Sequence, residues 1–119
     1  MSEAVKIYHN PRCSKSRETL SLLQANGVEP EVVLYLETPA DAATLRQLLQ
    51  MLGMTSAREL MRQKEDLYKE LNLADEKLTE DDLIQAMVEN PKLMERPIVV
   101  ANGQARIGRP PEQVLDIIR

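Results

Sequence analysis

Between Ile7 and Arg17 the chain reads "IYHNPRCSKSR" and holds its one histidine, His9, and its one cysteine, Cys13. Arg12, Lys15 and Arg17 stand among them, in a chain of 119 residues whose net charge is -4. The chemistry open to this group is that of a thiolate. A free cysteine, with a pKa of about 8.5, is only a few per cent thiolate at neutral pH. Turning it mostly to thiolate takes about 2.7 kcal/mol. A helix N-terminus supplies at most about 2 kcal/mol of that. Cations must add the rest, and Arg12 and Lys15 are the nearest in sequence. A lone cysteine is commonly a small buried hydrophobe. The neighbours of Cys13 are Pro, Arg, Ser and Lys rather than an apolar run, which favours a reactive thiol.

Two further residues belong to this stretch. Ser16 stands three positions after Cys13, where dithiol oxidoreductases carry the cysteine that resolves a mixed disulfide. With "CSKS" the resolving thiol must come from another molecule, although Ser16 can also be read as a helix cap. His9 can support the thiolate, orient the loop, or be a solvated loop residue. Elsewhere, Arg96 and Arg109 each precede a proline at the ends of a β-rich segment, and Arg58 and Arg62 lie four apart. Arginine's planar fork suits tetrahedral oxyanions. Residue types and spacing alone do not choose between Arg58 and Arg62.

These residues need elements to hold them. Val5–Tyr8 reads as a strand, broken by "NPRCS". A helix follows, capped by Ser14 or Ser16 and running to about Asn26, with Leu20 and Leu23 on one face and Gly27 as its stop. Val32–Tyr35 reads as a second strand, so the opening is a βαβ unit. Thr38-Pro39 marks the start of a helix that carries Leu45, Leu48, Leu49 and Leu52 and ends at Gly53. "TSARELMRQ" forms a further helix with Ala57, Leu60 and Met61 inward, and a short one lies near Asp66–Leu71. "TEDDLIQAMVEN" opens with a capping hydroxyl and three carboxylates and is ended by Pro91. "PIVVANGQARIG" is a hairpin about Asn102-Gly103. Pro110-Pro111 then leads into a last helix through Val114, Leu115 and Ile118. The sum is an α/β chain, βαβ…ββα, with a thioredoxin-like mixed sheet and a helical insertion of about 40–91 after the second strand. It forms a single domain over 1–119.

Composition narrows the function. A domain of this length buries about two thirds of the surface its unfolded chain exposes and can fold without metal or disulfide. One cysteine excludes an internal disulfide, and one Cys with one His is too few for a zinc site, so no metal is expected. The start "MSEAVK" lacks an apolar signal stretch, which points to a reducing, cytoplasmic setting and to no membrane. The acidic balance and three aromatic residues argue against nucleic acid as a partner.

Taken together, "YHNPRCSKSRETL", "YLETP", "LMRQKE", "ERPIVV" and "RIGRPPE" resemble the glutaredoxin-coupled arsenate reductase family, in order and over nearly the whole chain. Within it, the likeness is to the short enterobacterial arsenate reductase-like proteins. The resemblance implies that Cys13 attacks arsenate, that Arg62, Arg96 and Arg109 hold the oxyanion, and that His9 and Ser16 support the thiolate. It implies glutathione as co-substrate and glutaredoxin as partner, with no bound cofactor, in arsenic detoxification. Two alternatives stay open: a general glutathione-dependent thiol oxidoreductase, and a Spx-type regulatory binding protein, whose redox-sensing members use a C-x-x-C that this chain lacks.

Overall fold

The computed structural model describes residues 5–118. They divide into two compact units, one built from residues 5–38 with 96–118 and one from residues 39–95.

The first unit carries a four-stranded sheet in the order β2-β1-β3-β4. Strand β1 (Lys6–Tyr8) is parallel to β2 (Glu31–Val33) and antiparallel to β3 (Ile98–Ala101), which pairs antiparallel with β4 (Gln104–Ile107). In this register Ile7 sits between Val32 and Val99. Helix α1 (Ser14–Ala25) crosses over between the parallel strands. Ile7, Leu23, Val99, Ala101, Val114 and Ile117 form a buried cluster, and Leu20 packs at its edge. Burying an aliphatic side chain of this size stabilises the fold by about 1.5–3 kcal/mol. The Asn102-Gly103 turn has both residues at positive φ, 54° and 74°, as a tight hairpin requires. Asn102 also donates its side-chain N–H to Ile117 O at 2.7 Å, which ties the turn to the end of the chain.

Several boundaries differ from the sequence expectation. The residue at the start of α1 is Cys13, in extended conformation, not Ser14 or Ser16. The second strand ends at Val33, short of Tyr35. The final helix, expected through Val114, Leu115 and Ile118, is a 3-10 turn over Pro111–Asp116 in which Val114 and Ile117 are buried and Ile118 packs on the core cluster.

The second unit holds α2 (Ala42–Leu52), α3 (Asp66–Glu70) and α4 (Glu80–Glu89), with 3-10 turns at Ala57–Leu60 and Pro91–Leu93. The helical segment expected over about 40–91 falls within it. The cap of helix α2 stands three residues beyond Thr38: it is Asp41, which accepts the Thr44 N–H at 2.8 Å. Leu45, Leu48 and Leu49 are buried, and Gly53, at φ 73°, stops the helix. Helix α4 packs against α2 and both 3-10 turns. The "TSARELMRQ" segment makes only one 3-10 turn, after which Met61 pairs with Met94 in an isolated bridge. No helix among the described residues is long and apolar enough to cross a membrane.

Candidate functional site: a thiol at an open helix end

The loop from His9 to Cys13 is held by its own backbone. His9 N–H donates to Val33 O at 2.8 Å, Arg12 N–H to Asn10 Oδ1 at 3.0 Å, and Cys13 N–H to Asn10 O at 3.0 Å. Arg17 N–H then donates to Cys13 O at 3.0 Å, which makes Cys13 the residue on which α1 begins. The first turn of α1 has neither a side-chain cap nor an acidic residue. Its amide groups, which carry partial positive charge, are left to the thiol, and those of Ser16 and Lys15 favour its charged form.

The cations around the sulfur come from far along the chain. Arg109 Nη2 lies 3.7 Å from Cys13 Sγ, and Arg109 Nε donates to Arg96 O at 2.9 Å. Burial pushes the Cys13 thiol up. The Ser16 N–H, the Arg96 charge, the Lys15 N–H and the Arg109 charge, in that order, outweigh it, and the thiol lies below its ordinary value. The expectation that Arg12 and Lys15 supply the charge is corrected by this geometry. Arg12 is exposed, and the Lys15 ammonium pairs with Glu18 at 3.4 Å on the helix surface. Both Arg96–Pro97 and Arg109–Pro110 are cis.

Among the described residues the buried polar side chains are His9, Ser16 and Thr19. All three belong to this corner. Ser16 Oγ accepts the Asn10 N–H at 3.0 Å and shares a 2.6 Å hydrogen bond with His9 Nδ1. His9 is held below its ordinary pKa, first by burial and then by the charge of Arg17, so near neutrality it is an uncharged partner for Ser16. It therefore orders the loop and the first turn of α1. Ser16 is not a cap but a buried link between His9, the loop and the amide beneath the sulfur.

Arg62 belongs to the second unit. Its guanidinium pairs with Glu65 at 3.1 Å, and Glu65 also pairs with Lys92 at 3.5 Å. Its main chain is tied to Leu93–Glu95: Arg62 N–H donates to Leu93 O at 2.7 Å and Glu95 N–H to Leu60 O at 2.8 Å. Arg58, the alternative in sequence, spends its guanidinium on Leu73 O and Asp75 O at 3.1–3.2 Å and braces that loop. Residue types gave no signal for this division, because both arginines lie in the same short stretch. Among the described residues no cluster of His, Cys, Asp and Glu could hold a metal ion.

A thioredoxin-like fold that sets one activated thiol at an open helix end, with no second cysteine in the chain, defines the class. The chain belongs to the ArsC family, which matches residues 8–117. It is 84% identical over 118 residues to the uncharacterized protein YfgD of Escherichia coli K12, covering 99% of each chain. It is 54% identical over 110 residues to an arsenate reductase of Neisseria meningitidis serogroup B, covering 92% of this chain and 94% of that one. The solved structure of an arsenate reductase from Vibrio cholerae superposes with a TM-score of 0.96 at 60% identity, covering 98% of this chain and 99% of that one.

Proposed function

We propose that this protein reduces arsenate to arsenite, with Cys13 as nucleophile and with glutathione and glutaredoxin as the source of electrons. The observation that carries the reading is the Cys13 thiol at the uncapped start of α1, with Arg109 3.7 Å from its sulfur. An anion drawn to the same charges meets the nucleophile there. Arg96 and Arg109 hold arsenate oxygens in this reading. His9 and Ser16 keep the loop and the first-turn amides in place.

The reaction balances with one outside thiol. Cys13 sulfur bonds to arsenic and one arsenate oxygen leaves as water. Glutathione sulfur then attacks Cys13 sulfur. The sulfur–arsenic bond breaks with its electron pair on arsenic, which becomes trivalent and leaves as arsenite, while a Cys13–glutathione disulfide forms. Glutaredoxin takes the glutathione and returns the thiol. Ser16 at the resolving position fits this division of labour, since no thiol of the chain itself can compete. A shallow cleft between α1 and the segment after β4, lined by Lys15, Glu18, Leu22, Pro110, Pro111 and Glu112, offers both signs of charge to a zwitterionic peptide such as glutathione. The cytoplasm, where glutathione is kept reduced, suits the cycle.

Purified protein supplied with arsenate, glutathione and glutaredoxin is expected to form arsenite, and Cys13→Ser to abolish it. No arsenite, or undiminished arsenite from Cys13→Ser, would sink the proposal. Turnover of a glutathione mixed disulfide without arsenite would favour the general thiol oxidoreductase instead.

A further inference from the structure

Three pieces of chain bring the site together in the first unit: α1, which begins on Cys13; the entry to β3, where Pro97 follows Arg96; and the exit of β4, where Gly108 precedes Arg109. They meet at Gly108. Its N–H donates to Pro97 O at 3.0 Å. A Cβ added to it would overlap Thr19 Oγ1 outright and lie 2.9 Å from Pro97 Cγ and 3.1 Å from Thr19 Cγ2. The other three glycines are turn residues at positive φ with open space where a Cβ would stand. Gly108 is therefore set apart by closeness of approach rather than by backbone conformation.

The threonine against it cannot step aside. Thr19 is fully buried, and its hydroxyl donates to Lys15 O at 2.8 Å, one turn back along α1. Thr19 lies one turn beyond Ser16 on the same buried face of the helix. The next residue after the contact is Arg109, whose guanidinium reaches both Cys13 Sγ and Arg96 O.

We propose that Gly108 is a positioning residue: its contact with Thr19 and Pro97 sets the end of β4 so close to α1 that Arg109 reaches the Cys13 sulfur. A side chain at 108 pushes the strand end off the helix and withdraws that charge. The proposal rests on the reading of Cys13 as the reacting thiolate, but not on arsenate being its substrate.

The test is the rate of alkylation of the single cysteine by iodoacetamide, followed against pH in the full chain, with no arsenate present. Gly108→Ala is expected to slow the reaction at pH 7 by about threefold, as the thiolate loses a close cation. Thr19→Ala, added to Gly108→Ala, is expected to restore most of the rate by clearing Oγ1 and Cγ2. In an Arg109→Ala background, Gly108→Ala is expected to have no further effect, as two changes acting through one interaction should. An unchanged rate in Gly108→Ala, no restoration by Thr19→Ala, or an equal slowing in the Arg109→Ala background would each overturn it. If Gly108→Ala alone does not fold, Gly108→Ala with Thr19→Ala carries the comparison with Thr19→Ala. Failure of both to fold would also overturn it, in favour of a purely architectural glycine. Because arsenate is absent, these results stand apart from failure of arsenite formation.

Discussion

In residues 39–95 the main helix starts are closed by their own side chains. Asp41 caps α2, Thr79 and Asp82 form a reciprocal box at α4, and Ser56 and Glu59 do the same for the 57–60 turn. Glu80 adds a second clasp by accepting from Ser56 Oγ and Ala57 N–H at 2.9 and 2.7 Å. Three carboxylates stand in the first turn of α4. Helix α1 in the other unit does the opposite. It has no side-chain cap and no acid in its first turn, although serines stand at positions 14 and 16. A capping side chain there would take the amides that the thiol uses, and a carboxylate would repel the thiolate. Stability at helix starts in one unit and reactivity at a helix start in the other draw on the same orphan N–H groups.

The sharpest way to break this contrast is to remove the charges that complete the open end. Arg96→Ala and Arg109→Ala together are expected to slow Cys13 alkylation at neutral pH by about tenfold and to move its pH midpoint upward. A change confined to arsenate turnover, with alkylation untouched, would mean that the arginines act on substrate alone. A capped start should respond in stability instead. Thr79→Ala is expected to cost about 1 kcal/mol in denaturant unfolding, with no change in thiol alkylation. Closing α1 in the manner of α4 should trade one property for the other. Ser14→Asp is expected to slow alkylation about threefold while leaving the melting temperature equal or higher. Faster alkylation in that variant would refute the idea that the open end serves the thiol.

Acid should separate the two units by a smaller margin. His9 in the first unit is held below its ordinary 6.5 by burial, then by Arg17. A folded pKa below the unfolded one means that this contribution is complete above about pH 6.5 and is lost as pH falls through the lower, folded value. Asp41 and Glu59 in the second unit are also held low, by the N–H groups of Thr44 and of Ser56 and Thr55, beneath ordinary values of 3.8 and 4.5. Their contributions are present above those values and are lost only in stronger acid. Melting curves taken downward from pH 7 should therefore decline first through His9. His9→Gln should flatten that first decline and leave the later one in place.

Much of this architecture is legible in the amino-acid sequence. The leucines of α2, the box at Thr79 and the Asn102-Gly103 turn each depend on residues within about one helical turn or one hairpin, where periodicity and capping chemistry act. Cys13 is legible as a residue at a strand-to-helix break, and Ser16 as the missing second thiol. The helix starts are less so. Thr38-Pro39 has the letters of a cap, but Asp41 makes the bond. Ser14 and Ser16 have them too, yet Cys13 begins α1, because Ser16 is turned inward to His9 and Asn10.

One thiol, without a partner in the chain and standing where a helix begins among polar residues, can be read from the amino-acid order alone. Which charges reach it depends on how the chain folds back. Arg12 and Lys15 are adjacent in the chain, but Arg12 is exposed and Lys15 pairs with Glu18 on the helix surface. Arg96 and Arg109 are brought to the sulfur by the antiparallel return of β3 and β4 beside β1. Coulomb attraction falls with distance in space, and distance along the chain says little about it. Nor could the letter "G" at position 108 reveal its reason, since a close approach is a property of two surfaces and the chain names only one at a time.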